Sequence, residues 1–591
     1  MKTIKIGCAS GFWGDSNMST PQLLRSKELD YLVFDYLAEI TMSIMARQRA
    51  KNPDFGYAHD FVSKVMRDAL PEVAAQGVKV ISNGGGVNPE SCGRAIESLI
   101  EELGLDLKVA VVTGDDLMDR VKRLRTAGVT EMFSGAPLPA EFMSMNAYFG
   151  AFPVAAALTR GADIVITGRG VDSAVTVGAC IHEFGWEAEN YDALAGASLA
   201  GHIIECGAQA TGGLFTDWEL AEDWANIGYP IVEVSDDGSF VVGKPEGTGG
   251  IVCPAGVAEQ MVYEIGDPQA YILPDVVCDF SRVEMTEVGD QKVKVTGTRG
   301  SKPTDTLKVS ATYFDGYRLV CGVTIRGIDA EGKARKTLES VLERARRMLE
   351  ERNAPDFTEV HMDFIGAESE YGPHSRVTNA REVWGRLGVK HGSQDALNML
   401  LREMTSTGTS MSPGTTGAGG GRPRPSPVVR LFSFLVDKQS VVPTVHFSGD
   451  RWTVPFSVGE PFDTSSIERP TIADDAPRGD VIEVPLIKIA HGRSGDKGDN
   501  ANIGIIARKA AFLPIIREQL STEAVADHFS HLLKGRVDRY DLPGIHAVNF
   551  VLHEVLGGGG VASLRADPQG KAYAQLLLDF TVRVPESLLE T

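Results

Sequence analysis

Short apolar runs alternate with helical patterns over the first part of the chain. The runs are flanked by Gly, Asn, Asp or Ser and fall at residues 4–9, 31–36, 78–82, 109–113 and 164–167. Strands that are apolar on both faces and separated by helices are typical of a parallel sheet with helices on both sides. We therefore predict an α/β domain over residues 1–249, built on a doubly wound parallel sheet. A (β/α)-barrel is the alternative, because alternation alone does not show whether a sheet closes.

The pattern changes after residue 249. Residues 250–460 mix strand patterns with two helical patterns, at 333–351 and 394–404, and this mixture predicts an α+β middle region. Residues 405–427 within it are rich in Gly, Ser, Thr and Pro. This composition is typical of a flexible loop, but its place before an apolar strand also suits an ordered active-site lid.

A Pro-rich, acidic linker at 461–480 leads to a compact unit at 481–591. Its pattern begins with a strand at 481–490, a Gly-rich loop and a strand at 503–507. Two helices and further strands follow, the last of them at 573–582. Strands on one side and two helices on the other predict a ferredoxin-like α+β sandwich.

The charge balance narrows the range of partners. The 591 residues include 58 Lys and Arg against 79 Asp and Glu, a formal net charge of −21. Such a field repels polyanions, so we expect neither a nucleic acid nor a membrane as partner. The N-terminus enters a strand pattern directly, and no apolar run reaches the roughly 20 residues that span a bilayer, which predicts a soluble, cytoplasmic protein. The seven cysteines lack a C-x-x-C pair, which indicates reduced thiols.

Several familiar catalytic motifs are absent. The sequence has no G-x-x-x-x-G-K-[ST] phosphate loop, no H-E-x-x-H zinc motif, no G-x-S-x-G elbow and no complete G-x-G-x-x-G before a helix. We therefore predict neither an NTPase nor a metal site.

The first candidate site is a glycine-rich turn after the third strand. Asn83, Gly84, Gly85 and Gly86 lead to Asn88, which suits the capping position of the next helix. Free amide groups at a helix start bind phosphate, sulfate or carboxylate, and three glycines let a ligand approach the backbone. A tight, well-capped turn without a ligand is the alternative.

Polar side chains also follow the other strand ends, which gather at one edge of an α/β sheet, where ligands bind. Arg169 lies between two glycines and suits binding of a carboxylate or a phosphate. Asp115 and Asp172 are also ordinary helix caps. Glu39 is a candidate general base and equally an ordinary acid at a helix start. The substrate-binding candidates at this edge are Ser10, Asp15, Thr113, Asp115, Arg169 and Asp172.

The densest polar cluster lies between two apolar strands of the last unit. It combines four glycines with carboxylates, cations and a histidine, more than a hairpin turn requires. His491, Asp496 and Asp499 are candidates for acid–base catalysis, and Arg493 and Lys497 for binding an anion. An ordinary polar loop is the alternative.

A further helical segment carries His202, Glu205 and Cys206. His202 and Cys206 are four residues apart and share a helix face. Because no partners for a metal site are apparent in the sequence, we interpret these residues as packing residues.

Six motifs together resemble one protein family, the acyclic terpene utilisation (AtuA-like) family. The resemblance covers nearly the whole chain. It implies a ferredoxin-like C-terminal domain, an ordered loop at 405–427, and a place in the catabolism of citronellol, geraniol or related branched acyl-CoA compounds. The motifs are GCASGFWGD at 7–15, SNGGGVNP at 82–89, TGRGVDS at 167–173, GHIIECGAQATGG at 201–213, GGRPRPSP at 420–427 and HGRSGDKGD at 491–499.

The resemblance and the absence of redox, nucleotide and covalent-nucleophile motifs lead to one expectation of function. We expect a catabolic enzyme that acts on a branched or terpenoid acyl-CoA, or on its carboxylated derivative, by lyase or hydratase chemistry. No cofactor is expected, since CoA is part of the substrate, and a homo-oligomer is expected. The alternative is a non-catalytic acyl-CoA-binding or scaffold subunit that partners an acyl-CoA carboxylase.

Overall fold

A computed structural model describes residues 2–417, 421–472 and 479–589. The π-helix Phe61–Met66 runs directly into the third α-helix. The strands of the first part are β1 (Thr3–Cys8), β2 (Tyr31–Phe34), β3 (Lys79–Ser82), β4 (Val109–Thr113), β5 (Ser144–Ala147), β6 (Ile164–Thr167), β7 (Ile231–Ser235) and β8 (Phe240–Gly243). The helices are α1 (Ser19–Arg25), α2 (Glu39–Lys51), α3 (Arg67–Gln76), α4 (Pro89–Glu102), α5 (Val121–Thr126), α6 (Phe152–Thr159), α7 (Ala174–Phe184) and α8 (Tyr191–Ile204).

The middle part begins with a helix and contains the longest strand. Its strands are β9 (Tyr271–Ile272), β10 (Val277–Asp279), β11 (Glu284–Gly289), β12 (Lys292–Thr296), β13 (Arg299–Ser301), β14 (Thr306–Arg326), β15 (Glu359–Ile365), β16 (Glu382–His391), β17 (Thr415–Thr416), β18 (Ser426–Asp437), β19 (Thr444–Phe447) and β20 (Asp450–Thr453). Its helices are α9 (Pro254–Val262), α10 (Ala330–Glu350), α11 (Gln394–Thr405) and α12 (Thr407–Ser410).

The last part is smaller. Its strands are β21 (Val481–Pro485), β22 (Ala490–Lys497), β23 (Asn500–Ala507), β24 (Val537–Leu542), β25 (Ala547–Leu552) and β26 (Thr581–Pro585). Its helices are α13 (Leu513–Gln519), α14 (Thr522–His528), α15 (Tyr573–Leu578) and α16 (Glu586–Leu589).

A parallel core of five strands forms the centre of the largest sheet, in the order β1-β2-β3-β6-β4. Apolar side chains of α1, α3 and α4 cover one face, and those of α6, α7 and α8 cover the other. The predicted doubly wound α/β sheet is therefore confirmed. The described strands leave the sheet open, with β11 at one edge and β20 at the other, so the barrel alternative is wrong.

Antiparallel strands extend this core on both sides. β7, β8, β12 and β11 follow β1, while β19 and β20 follow β4. Both extensions include strands from beyond residue 249. The predicted domain limits stay predictions.

A second sheet is organised around β14, a strand of 21 residues. The first half of β14 pairs with β5 and β18, and the second half pairs with β16 and β17. Apolar side chains of α10 and α11 cover this sheet, as expected of an α+β region. Of the predicted loop at 405–427, residues 418–420 lie outside the described residues, as do residues 473–478 of the predicted linker.

The C-terminal part forms a four-stranded antiparallel sheet in the order β22-β23-β25-β24, with β21 and β26 as a separate pair. The predicted ferredoxin-like fold is confirmed, but two of its elements were predicted wrongly. The Gly-rich loop is the strand β22, because its glycines allow close packing: a Cβ on Gly495 would lie 2.7 Å from the ring of Tyr263. The strand at 573–582 begins as the helix α15, since a short run of leucines suits either structure when it is fully buried.

None of the helices in the described ranges combines the length and the apolar character that a membrane crossing requires. The seven cysteines are all free thiols, and most are buried.

Candidate functional site

Three carboxylates meet at the carboxyl ends of the parallel strands. Asp35 follows β2, Asp172 follows β6, and Glu205 ends α8. One oxygen of each lies within 4.8 Å of one oxygen of each of the others. We call these three residues the carboxylate cluster. Motifs that are far apart in the sequence thus meet at one point.

The cluster lies in a place that disfavours negative charge. Asp35 is only 6% exposed, and burial, followed by the charges of Asp172 and Glu205, raises its pKa well above the ordinary value. Burial also raises the pKa of Glu205, although His202 opposes this shift. Carboxylates in such surroundings hold a proton at a pH where ordinary carboxylates have lost theirs.

Arg169 borders the cluster. Its Nη1 donates to Asp172 Oδ1 at 2.9 Å and to the Leu37 carbonyl at 2.6 Å. Its Nη2 donates to the hydroxyl of Tyr148 at 3.1 Å, and its guanidinium lies 4.4 Å from the centre of that ring. Arg169 is therefore fixed in one orientation beside the carboxylates, as expected of a residue that binds an anion.

Glu39 and Lys308 lie on the other side of Tyr148. The Tyr148 hydroxyl donates to Glu39 at 2.6 Å, and the Lys308 ammonium lies 5.2 Å from the ring centre. Burial alone would raise the pKa of Glu39, but Arg169 and Lys308 lower it to about 2. A carboxylate this acidic is a weak base, so the proposed base role of Glu39 has little support in these surroundings.

Lys308 enters the site from the middle part of the chain. It lies on β14, where its carbonyl accepts from the Tyr148 amide at 3.0 Å. Burial lowers the pKa of its ammonium, although Glu39 opposes this shift. Sequence reasoning missed this residue.

Asp115 and Thr113 form hydrogen bonds at the same edge of the sheet. Asp115 accepts from the Arg169 amide at 2.9 Å and from Asn146 at 2.8 Å, and burial raises its pKa to about 6. Thr113 contacts His446 of β19 at 3.0 Å. These contacts position the Arg169 loop and the sheet edge.

Ser10 and Asp15 line a neighbouring cavity of about 730 Å³, between α1 and the π-helix. The Ser10 hydroxyl donates to the Asp35 carbonyl at 3.3 Å. Asp15 accepts from the Gly11 amide at 2.9 Å and from the Tyr229 hydroxyl at 2.8 Å. They therefore lie next to the cluster without joining it.

The glycine-rich turn is closely packed. A Cβ on Gly85 would lie 2.5 Å from the Thr167 carbonyl oxygen, and Gly84 and Gly86 are equally buried. The Asn88 amide group donates to two backbone carbonyls instead of capping α4. Asn83 alone reaches the cluster, where its Nδ2 donates to Asp35 Oδ1 at 2.5 Å.

The C-terminal candidates lie along β22 and its turn. His491 Nε2 is 3.0 Å from Asp217, which also accepts two bonds of 2.6 Å from Arg508. Burial, followed by Arg508, lowers the pKa of His491, and the Arg508 hydrogen bonds lower that of Asp217 to about 2. This triad joins the C-terminal part to the segment before α9.

The other charged residues of the motif at 491–499 also have hydrogen-bonding or ionic partners. Arg493 donates to Gln209, and Asp496 lies 3.1 Å from the Lys571 ammonium. Burial, followed by Glu264, raises the pKa of Asp496 to about 6. Asp499 accepts from the Gly558 amide at 2.6 Å.

Lys497 is the member of this strand that acts on the carboxylate cluster. Its ammonium is 3.5 Å from Glu264. Although its side chain is 58% exposed, Glu264, followed by Tyr271, Asp172 and Glu205, raises its pKa above the ordinary value. The charges of the carboxylate cluster and the charge of Lys497 in the C-terminal motif therefore influence each other.

A family model described as "Acyclic terpene utilisation family protein AtuA" matches residues 4–447, and a model of the "AtuA ferredoxin-like domain" matches residues 484–583. The chain belongs to the AtuA family. No curated protein and no solved structure matches it. The predicted family is thus confirmed.

In this member of the AtuA family, the residues that sequence reasoning missed have a common signal. Asp35 and Lys308 are charged residues inside apolar strand runs, and Tyr148 follows β5 in the same way. Glu205 was interpreted as a packing residue, because its neighbours Asp35 and Asp172 are distant in the sequence. For Asp35 and Lys308, the presence of a charged residue within an apolar run was the only available sign.

Proposed function

We propose that this AtuA family member is a catabolic enzyme that acts on a branched or terpenoid acyl-CoA, or on its carboxylated derivative, by lyase or hydratase chemistry. One observation carries the proposal: three carboxylates, each from a different segment, converge at the strand ends, and at least one of them has a strongly raised pKa. Groups with such pKa values are typical of proton transfer at neutral pH.

The roles follow from the surroundings of each group. Asp35, at the centre of the cluster, removes or returns the proton that a lyase or hydratase must move next to a thioester carbonyl. Arg169, which contacts Asp172, and Lys497, whose pKa Asp172 and Glu205 help to raise, bind the negative charge of the substrate. The CoA group enters as part of the substrate, and the active form is a homo-oligomer.

Turnover by the purified chain tests the proposal. We would incubate it with saturated, unsaturated, 3-hydroxy and carboxylated branched acyl-CoA compounds and follow hydration, dehydration and carbon–carbon cleavage by mass spectrometry. Conversion of at least one compound, lost in Asp35→Asn and retained in the exposed control Asp463→Asn, supports it. Conversion that Asp35→Asn leaves unchanged contradicts it.

A second function is favoured by an exposed apolar patch. Trp218 and Trp224 are 56% and 57% exposed with ring centres 5.8 Å apart, and Leu214 and Leu220 lie in the same segment. Such patches mark protein interfaces. A non-catalytic subunit that partners an acyl-CoA carboxylase would bind acyl-CoA without converting it and would lose its partner in Trp218→Ser.

A further inference from the structure

We infer that the carboxylate cluster is a binding site for a hard divalent cation, Mg²⁺, Mn²⁺ or Ca²⁺. The site shares residues with the proposed proton-transfer group, but cation binding is measured without any substrate. The two proposals can therefore fail independently. The inference also differs from the expectation from sequence, which included no metal.

The ligand set suits this class of cation. Asp35, Asp172 and Glu205 offer only carboxylate oxygens, all within 4.8 Å of one another. Carboxylate oxygens are the ligands that Mg²⁺, Mn²⁺ and Ca²⁺ prefer, at metal–oxygen distances of about 2.0–2.6 Å. Two oxygens on opposite sides of such an ion are about 4–5 Å apart, so the three fit around one ion with little movement.

Each carboxylate is oriented by a buried side chain behind it. Asn83 donates to Asp35 Oδ1 at 2.5 Å, and Arg169 donates to Asp172 Oδ1 at 2.9 Å. His202 Nδ1 is 3.2 Å from Glu205 Oε1. The second oxygen of each carboxylate has no hydrogen bond within the described part of the chain. Metal-binding carboxylates are typically held in this way, with one oxygen oriented by a neighbour and the other free for the ion.

His202 provides a second observation at the cluster, a buried ring nitrogen without a hydrogen bond to any described residue. The side chain is 1% exposed, and its Nε2 is 3.1 Å from the Met261 carbonyl oxygen. When Nε2 carries the hydrogen that this carbonyl accepts, Nδ1 of the neutral ring is an acceptor. It then faces another acceptor, Glu205, and Nδ1 forms no hydrogen bond of acceptable geometry. The buried Nδ1 therefore faces the carboxylate cluster without a hydrogen bond in the described part of the chain.

Within the described residues, neither Asp35 nor Glu205 forms an ion pair with Lys or Arg. Arg169 is engaged with Asp172, and Lys497 is engaged with Glu264. The Nε of Arg169, a side chain only 4% exposed, is itself without a hydrogen-bond partner. A water molecule bound to the ion would supply an acceptor to this buried donor.

Calorimetry on chelator-treated protein tests the inference. MgCl2, MnCl2 and CaCl2 are titrated separately without substrate, and Mn²⁺ is also followed by electron paramagnetic resonance. We expect saturable binding of one equivalent of at least one ion. The ion that binds most tightly identifies the preference of the site.

Variants locate the binding. Asp35→Asn and Glu205→Gln are expected to weaken it by at least 10- to 100-fold, and Asp463→Asn, at an exposed turn, to leave it unchanged. Circular dichroism checks that each variant is folded. If neither variant folds, Asn83→Ala, which removes the hydrogen bond that orients Asp35, provides a further variant, and its Mn²⁺ binding should weaken while Asp463→Asn binds as the wild type does.

Two results would overturn the inference: no saturable binding of any of the three ions at about 10 mM, or binding that both cluster variants leave unchanged. Thioester turnover in the presence of a chelator, without ion binding, would support the proposed function and overturn this inference. Ion binding without turnover of any thioester would support this inference and contradict the proposed function.

Discussion

Two polar regions of this chain differ in how their charges are arranged. In the carboxylate cluster, three acidic side chains lie close together, and burial raises the pKa of Asp35. On β22, almost every charged side chain already has an opposite or hydrogen-bonding partner, as His491 has in Asp217. Paired charges hold two parts of a protein together, whereas like charges held together cost free energy and are typical of functional sites.

The comparison explains why density of polar residues is a poor guide. The motif at 491–499 is the richest in polar residues, but its strand geometry directs them towards partners on other segments. The residues of the carboxylate cluster are far apart in the sequence, and only the fold brings them together. The carboxylate cluster is therefore a stronger candidate for the functional centre than the denser motif.

The largest expected effect is that of Asp35→Asn on turnover. The amide cannot transfer the proton, so we expect kcat to fall about 100- to 10,000-fold, as for a general acid or base. The measurement is steady-state kinetics on whichever thioester the wild type converts.

The same substitution, Asp35→Asn, should increase stability at high pH although it lowers turnover. The folded-state pKa of Asp35 is raised, so its contribution to stability is present at low pH and is lost as the pH rises through that pKa. Asp35→Asn should therefore be more stable than the wild type at pH 8, relative to pH 4. A variant that is less stable at both pH values would show that the charge of Asp35 is well compensated.

The next effect is that of Asp217→Asn on stability. This change removes the ion pair with Arg508, and we expect the free energy of unfolding to fall by roughly 1–3 kcal/mol at pH 7. Because the folded-state pKa of Asp217 is about 2, the loss should shrink below pH 4 and vanish near pH 2. Urea titrations at several pH values measure it.

Activity per folded molecule should change little in Asp217→Asn. If turnover instead falls as steeply as in Asp35→Asn while stability stays the same, the His491 triad is catalytic. The comparison between the two regions would then be reversed.

A smaller effect is expected for Lys497→Ala, at the point where the two regions meet. Its side chain is 58% exposed, so we expect substrate KM to rise about three- to tenfold, or about 0.7–1.4 kcal/mol, with kcat nearly unchanged. Lys497→Arg keeps the charge and serves as the matched control. Equal KM values in both variants and the wild type would remove Lys497 from the site.

The smallest effect is expected for Asp499→Asn. The amide oxygen can still accept from the Gly558 amide, so stability should change by about 0.5 kcal/mol or less and turnover should be unchanged. Thermal unfolding and the same kinetic assay check this. A large loss of activity would restore Asp499 as a catalytic residue.

Local patterns were sufficient to predict the parallel core. The strands at Val109–Thr113 and Ile164–Thr167 are short apolar runs between helices, and the family motifs marked most of their ends. The pairing of β14 with β5 was not predictable, since it joins segments such as Ala147 and Val309 that share no local pattern. Lys308 reaches the cleft only through this pairing.

The carboxylate cluster was hidden for a related reason. Asp172 was identified from its strand end, but Asp35 lies within an apolar run and Glu205 on a helix of small residues. Only the three-dimensional arrangement makes them neighbours. The raised pKa values of Asp35 and Glu205 depend on that arrangement and not on the sequence around each residue.

The pairing of β4 with β19 has a consequence for the order in which the protein is made. His446 lies opposite Val111, so the β4 edge of the largest sheet stays bare while most of the chain is being synthesised. An unpaired, apolar strand edge invites association with other chains, and such distant pairings form slowly. Lys497, which forms an ion pair with Glu264, follows β19 in the chain and is made later still. A chain terminated before residue 444 would therefore carry the three carboxylates but lack both the β19 cover of this edge and Lys497.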